Sequence, residues 1–466
     1  MRAPQYRGTH EHSLPFPLVV THGGVPGPRT ALAIFLLAIL FLVLPPLTAH
    51  AAMSIQEVKS AKGINAWLVE DHTNPIITIN FFFDGGTTQD PPGKEGLANL
   101  MARLVPQGAG DLDGDAFQTK LDRAGATMTL EAQRDGVHGA MSMLSLRKDA
   151  AFDLLGLALN RPRFEQEATD RIRAQILSGI IGNENEPNAI AEREWLSVLY
   201  GSHPYSRPEE GTKSGVAGVS PADLRASHKA TFGRDGLHFV VVGDIDANAL
   251  REKLDQVFGE LPPTQALAPV ADVTPQLGQQ VKVKYDLPQT SLTLAYPGVK
   301  RDAPDFYAAM LMNDILGGSA FTSRLFQEVR EKRGFAYYVH SDLFQQQHSE
   351  TLLVRTATRP DRAAETLSLV RDVVKQMAER GPTEAELAAA KKHQIGAYPI
   401  NYLNSSASIA ATLLDMQLNN FGIDYIQRRA GLIEEVTIEQ VKAVAKKLLS
   451  TEPAIMIVGP HLEHKG

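Results

Sequence analysis

Residues 96–105, Gly-Leu-Ala-Asn-Leu-Met-Ala-Arg-Leu-Val, have the spacing of a metal-dependent catalytic helix without its chemistry. Leu97, Leu100, Met101 and Leu104 recur at i, i+3, i+4 and i+7, which predicts one packed helical face. The other side carries Asn99, Ala102 and Arg103. Those are the positions that the inverted zinc motif H-x-x-E-H fills with a ligand, a general base and a second ligand. An amide oxygen is a weak zinc ligand beside imidazole, alanine offers no donor, and a permanently charged guanidinium repels a dication by several kcal/mol. A second group of residues lies further along. Arg330 is near the end of an amphipathic stretch with Leu325, Phe326 and Val329 inward; Gly334 is the expected terminator and Tyr337 follows on a strand. A cationic and a phenolic donor together could hold a carbonyl oxygen as negative charge develops on it. On residue chemistry alone, Arg330 reads first as a solvated cation at a helix C-terminus, with Lys332 and Arg333 beside it.

Other candidates are weaker. His461-Leu-Glu463-His464 has the spacing H-x-E-H and sits at a terminus expected to fray, and His10-Glu11-His12 falls in a presumed leader. His203, within His-Pro-Tyr, is expected to serve a turn rather than a metal, and His340 and His348 flank a strand-like run with Gln345-Gln346-Gln347 between them. No G-x-S-x-G elbow, P-loop or G-x-G-x-x-G is present, which argues against serine-hydrolase and nucleotide chemistry. The absence of cysteine excludes thiol catalysis and thiolate metal sites within the chain. With 21% charged residues, a formal net charge of −7 and no basic block, nucleic acid is not an expected partner.

The elements that would position these groups begin after the N-terminus. Ala31–Leu44 is an apolar run too short for a comfortable membrane span; Arg29 precedes it, Pro45-Pro46 break it, and Ala49-His50-Ala51 offers a small-x-small cleavage site. The expectation is a secretory signal over 1–51, a mature chain in a bacterial periplasm, and no stable span after cleavage. A single retained anchoring helix is the lesser alternative.

The rest of the chain is written twice. Ile64–Val69 and Ile76–Phe83 are strand-like, as are Val281–Tyr285 and Ser291–Tyr296. A glycine-containing turn and a helix follow each pair (Gly96–Val105, Asp305–Leu316). Ser220-Pro221 opens a helix with an N-cap and a first-turn proline, and Thr437 opens its counterpart 217 positions on. Each half closes on an apolar strand ending in glycine, Gly243 and Gly459. Residues 52–260 and 281–466 are read as two homologous domains, with the Pro- and Gln-rich stretch 261–280 as linker. Thr351–Thr358 alternates polar and apolar residues, as a half-buried antiparallel strand does. The expected class is α+β, two mainly antiparallel sheets each with helices on one face.

Several phrases together resemble the pitrilysin/insulinase family of zinc metallopeptidases. They are Asp84-Gly85-Gly86 with Pro92–Ala98, Gly201-Ser-His-Pro-Tyr205 through Gly211-Thr212, Ile315-Leu-Gly-Gly318, and Ser323–Tyr337. The resemblance implies that the active type's two His ligands would stand at Asn99 and Arg103, its base at Ala102 and a distant Glu ligand at Gly179. It also implies that Arg330 and Tyr337, at this seven-residue spacing, reach a zinc site in an opposite domain and hold substrate there. The Gly317-Gly318 loop reads either as lining a chamber or as a helix cap. The expectation is a non-catalytic subunit with no catalytic residues or metal of its own, forming a heterodimer with a homologous zinc-bearing subunit that cuts peptides or unfolded protein. An inert peptide-binding or scaffold protein of the same fold is the alternative, and an independent hydrolase with another site is a third possibility.

Overall fold

Alternate residues of β3 (Ile76–Asp84), namely Ile77, Ile79, Phe81 and Phe83, are fully buried on one face of a sheet, and the strand is long enough to be its spine. The computed structural model describes residues 53–318 and 321–460; the expected leader and the His461–His464 motif lie outside them. Both halves belong to one compact unit that starts at Ser54. The first sheet adds β1 (Gln56–Lys59), β2 (Asn65–Glu70), β4 (Ala126–Ala132), β5 (Gly136–Leu144) and β6 (Leu237–Gly243), in the order β1-β2-β6-β3-β5-β4. The second holds β7 (Gln280–Lys284), β8 (Thr290–Pro297), β9 (Ala336–Gln346), β10 (Ser349–Thr358) and β11 (Ala454–Gly459), in the order β7-β11-β8-β10-β9. Leaving out β1, the two orders match strand for strand. Each sheet has its parallel pair at the equivalent place, β2 with β6 and β7 with β11.

The first half carries α1 (Leu97–Leu104), α2 (Gly114–Arg123), α3 (Lys148–Asn160), α4 (Gln166–Asn183), α5 (Pro187–Tyr200), α6 (Lys213–Ala217), α7 (Pro221–Thr231) and α8 (Ala247–Phe258). The second carries α9 (Phe306–Asn313), α10 (Ala363–Arg380), α11 (Glu384–Tyr402), α12 (Ser406–Leu418), α13 (Tyr425–Glu434) and α14 (Ile438–Leu449). The repeat shows in the caps: Ser220 and Thr437 close equivalent capping boxes on α7 and α14 with Asp223 and Gln440.

Helices do not stay on one face of their own sheet. Leu292, Leu294, Leu352 and Ile455 face the second half's own helices, but their neighbours Ala295, Leu353, Ala454 and Val458 pack on Trp195, Leu199 and Tyr200 of α5, from the first half. Reciprocally, α12 of the second half lies across β3 and β6, and Gln417 donates to the Phe239 carbonyl oxygen at 3.2 Å. Each half therefore covers its partner's second sheet face. This is why Thr351–Thr358 is almost wholly buried rather than half-solvated, as its alternation suggested. The stretch 261–280 is an ordered strap: Ala266 N–H bonds Ala230 in the first half, and Val273 N–H bonds His348 in the second, at 2.9 and 2.8 Å.

Candidate functional site

α1 forms where its stripe predicts. Leu97, Leu100, Met101 and Leu104 are buried in the first core. Its N-terminus is held by a residue from outside the helix. The Asp90 carboxylate accepts the N–H groups of Gly96 and Ala98 at 2.7 and 2.8 Å, so it caps the helix at a distance. Burial pushes its pKa up to about 6, against the pull of those N–H groups and of Arg207. Gly96 has φ +100°, and a Cβ there would lie 2.5 Å from Val216. A Cβ at Gly211 (φ +92°) would lie 2.4 Å from the Glu95 carbonyl oxygen, and Thr212 N–H bonds that oxygen at 3.2 Å. Two phrases of the sequence, around Gly96 and around Gly211, are thus the two sides of one close backbone contact.

Two of the positions that the resemblance implies as ligands, Asn99 and Arg103, are bonded to each other. Asn99, 8% exposed, accepts from Arg103 Nε at 3.0 Å and donates to the Glu210 carbonyl oxygen at 3.3 Å. Ala102 is 0% exposed. Gly179 lies on α4, which packs against α1; a Cβ added there would meet nothing within 4 Å. These residues do not fit a zinc ion. The one side-chain oxygen is bonded to a guanidinium, that guanidinium carries the ion's own sign, and the other two positions have no donor. Among the described residues no group of three His, Asp or Glu side chains has metal-binding geometry. A cavity of about 960 Å³ opens between the halves beside Arg134 and Gln345, with none of the four positions in its lining.

Arg330 and Tyr337 are also brought together. Arg330 sits in a wide helical turn, Phe326–Glu331, with Leu325, Phe326 and Val329 buried as expected. Gly334 (φ +61°) ends it, its N–H bonding the Arg330 carbonyl oxygen at 2.8 Å and Phe335 N–H bonding that of Val329 at 3.0 Å. The guanidinium lies 4.8 Å from the ring centroids of both Phe326 and Tyr337. Tyr337 is 78% exposed on β9, an edge strand. Arg330 contacts Phe326, Tyr337 and Glu331, all in its own segment and none on α1, so the two constellations do not make one site within the described residues.

Other expectations resolve differently. Gly317 is in a wide turn that continues α9, and a Cβ there would lie 2.6 Å from Ser341 Oγ on β9. The glycine admits the chain's own strand. His340 pairs with Asp342 at 3.3 Å and His348 with Asp272 at 3.2 Å, so these two imidazoles form no shared site. His203 holds a turn, accepting Tyr205 N–H at 3.2 Å and reaching the strap at Ala271. The sequence reading missed what this turn presents. Tyr205 is fully buried, donates its phenol to the Asp135 carboxylate at 2.7 Å, and accepts His348 N–H at 3.0 Å. Burial and Asp135 together push its pKa up. A buried tyrosine after His-Pro was the available signal.

With that geometry fixed, comparison with known proteins decides the family. The model for insulinase (peptidase family M16) matches residues 66–213, and the model for the peptidase M16 inactive domain matches residues 218–393. The chain belongs to the insulinase family, peptidase family M16. An uncharacterized zinc protease of Mycobacterium tuberculosis is 30% identical over 319 residues, 67% of this chain and 72% of that one. A non-peptidase homolog, YmxG, of Helicobacter pylori is 24% identical over 416 residues, 88% and 95% of the two chains. The crystal structure of a peptidase M16 inactive domain from Pseudomonas fluorescens matches with TM-score 0.81 and 30% identity, covering 89% of this chain and all of that one. The family's relatives thus bear both kinds of name, and the matches to an M16 inactive domain and to a non-peptidase homolog support a non-catalytic M16-like protein.

Proposed function

We propose that this chain is the non-catalytic subunit of a zinc metalloendopeptidase outside the cytoplasm. A homologous subunit bearing H-x-x-E-H would hold the metal, and this chain would complete that subunit's site. The observation that carries the reading is the contrast within one molecule: Asn99 and Arg103 satisfy each other, while Arg330 and Tyr337 stand at the surface on the far half. Arg330 and Tyr337 would donate to a substrate carbonyl oxygen, lowering the cost of charge that gathers there. The aromatic stack limits the guanidinium's freedom, so less entropy is lost when it binds. Export rests on residues 1–51 alone.

The test is reconstitution. The purified chain mixed with an H-x-x-E-H homologue should give chelator-sensitive peptide cleavage that neither shows alone. In that mixture Arg330→Ala and Tyr337→Phe should each lower kcat/KM by roughly 10²-fold, the usual scale for removing one donor to an oxyanion. Unchanged activity in both variants sinks the assigned role. The name of the Helicobacter pylori relative favours a second reading, an inert peptide-binding or scaffold protein. Saturable peptide binding by the chain alone, with no association with the homologue, would select it.

A further inference from the structure

The chain's net charge is −7, yet one groove on the first half gathers cations that have no partner. It runs between α2 and α3 and encloses about 440 Å³, inside the usual range for small-molecule sites. The exposed side chains of Lys120, Arg123 and Arg147 line it, and none of the three side chains has a hydrogen bond or ion pair to another described residue. The single acidic residue in the lining, Asp153, is bonded to Gln256 instead.

The groove has two unlike ends. Leu144 N–H bonds the Gly125 carbonyl oxygen at 3.3 Å, which brings the C-terminus of α2, with Arg123, against the segment that leads to Arg147. Arg147 and Lys148 stand at the N-terminus of a 13-residue helix that no side chain caps. A helix start favours anions, and the one acid in its first turn, Asp149, is paired with Lys253 at 2.8 Å rather than with either cation. The lysine and arginine near the end of α2 are explained by their own helix dipole; Arg147 is not. Away from this end the lining turns apolar. Leu154 and Leu157 continue along α3, and Leu112 faces them beside Gly110, where a Cβ would lie 2.7 Å from Leu157. From Ala150 to Leu157 the helix rises about 10 Å.

We infer that this groove binds a single-chain acyl anion of medium length. Its head is held by Arg123 and Arg147 at the start of α3, and its hydrocarbon lies along Leu154, Leu157 and Leu112. The charged end supplies charge-assisted hydrogen bonds, and the apolar end shields methylenes from water. The inference is independent of any zinc-bearing partner.

The test is calorimetric titration of the full chain with decanoate below its micelle concentration. One saturable site is expected. Decan-1-ol, which keeps the chain and loses the charge, should bind about ten-fold more weakly or worse, as should decanoate to the Arg123→Ala/Arg147→Ala variant. Ala150→Trp, at an exposed position, should block the groove without changing the melting temperature. Failure of decanoate to saturate, or equal binding by wild type and the double variant, overturns the proposal. Sedimentation with phosphatidylglycerol vesicles by a chain that ignores monomeric decanoate overturns it too, since the cations would then be a membrane-docking surface.

Discussion

α1 and the Phe326–Tyr337 segment are built on opposite plans. α1 is held by contacts to its backbone and its apolar stripe: the Asp90 cap, the Gly96–Gly211 approach, and the buried leucines. None of these contacts depends on residues 99, 102, 103 or 179. The helix therefore stands without a metal-ligating side chain at these positions. In the second half the fold holds Leu325, Phe326 and Val329, and leaves Arg330 and Tyr337 touching mainly each other and Phe326. Folding does not dictate those two identities. One half thus keeps a scaffold without the chemistry it would carry, and the other keeps donor chemistry the scaffold does not need.

The comparison is sharpest at Ala102 and Gly179. Ala102→Glu would put an unpaired carboxylate at a fully buried position and should cost about 3 kcal/mol or more in urea unfolding. Gly179→Glu, with open space around its Cβ, should be neutral or gain up to about 1 kcal/mol of helix propensity. A well-tolerated Ala102→Glu would mean that the site is still open, and the contrast would break. A second difference between the halves lies in acid. His228 on α7 donates its Nε2–H to the Leu159 carbonyl oxygen at 2.9 Å, stacks on Phe232, and has its pKa lowered by burial to about 4. The unfolded chain therefore binds the proton first. Stability tied to this imidazole is full above pH 6.5 and should fall by roughly 3 kcal/mol as pH drops to about 4. Asp90, with a raised pKa, works in the opposite direction over the same window, so the share of His228 is read as the difference between wild type and His228→Gln. The equivalent position in the second half is Ala445, 217 residues on. The Arg324–Glu386 pair there keeps its stabilisation until pH falls below 4.5 toward about 2. Hydrogen exchange at pH 5 should show the first half loosening before the second.

What joins the halves gives a smaller effect. Tyr205→Phe removes a phenol that bridges Asp135 and the His348 N–H, and should cost about 2 kcal/mol, with early loss of contact between β5 and the β9–β10 hairpin. That joint marks where sequence reading stopped. The duplicated strands, the stripe of α1, the caps at Ser220 and Thr437 and the turn at Gly334 were legible because each is a local pattern with a local cause. The exchange of α5 and α12 was not, since an amphipathic helix shows that it has an apolar face and not which sheet it will cover. Asp90 was missed for a similar reason: its role depends on a loop folding back over α1, which no spacing in the chain encodes. The site was legible at Asn99, Ala102, Arg103 and Gly179 only through the family phrases around them. The bond from Asn99 to the Glu210 carbonyl oxygen was not, since it joins α1 to a loop that no local pattern brings there.

The smallest stability change belongs to the residues with the largest proposed consequence. Arg330→Ala and Tyr337→Phe should each shift unfolding free energy by about 0.5 kcal/mol or less, since Tyr337 is exposed, Arg330 is half-exposed and the second core does not include Phe326. Arg330→Lys separates charge from shape. A lysine retains the cation but loses the planar fork that stacks on Phe326 and Tyr337, so the chain should melt unchanged while the mixture with an H-x-x-E-H homologue recovers little activity. If Arg330→Ala instead unfolds the second half, the pair is structural. A scaffold that needs its residues and a surface that does not would then be indistinguishable at the one place on which the proposed function depends.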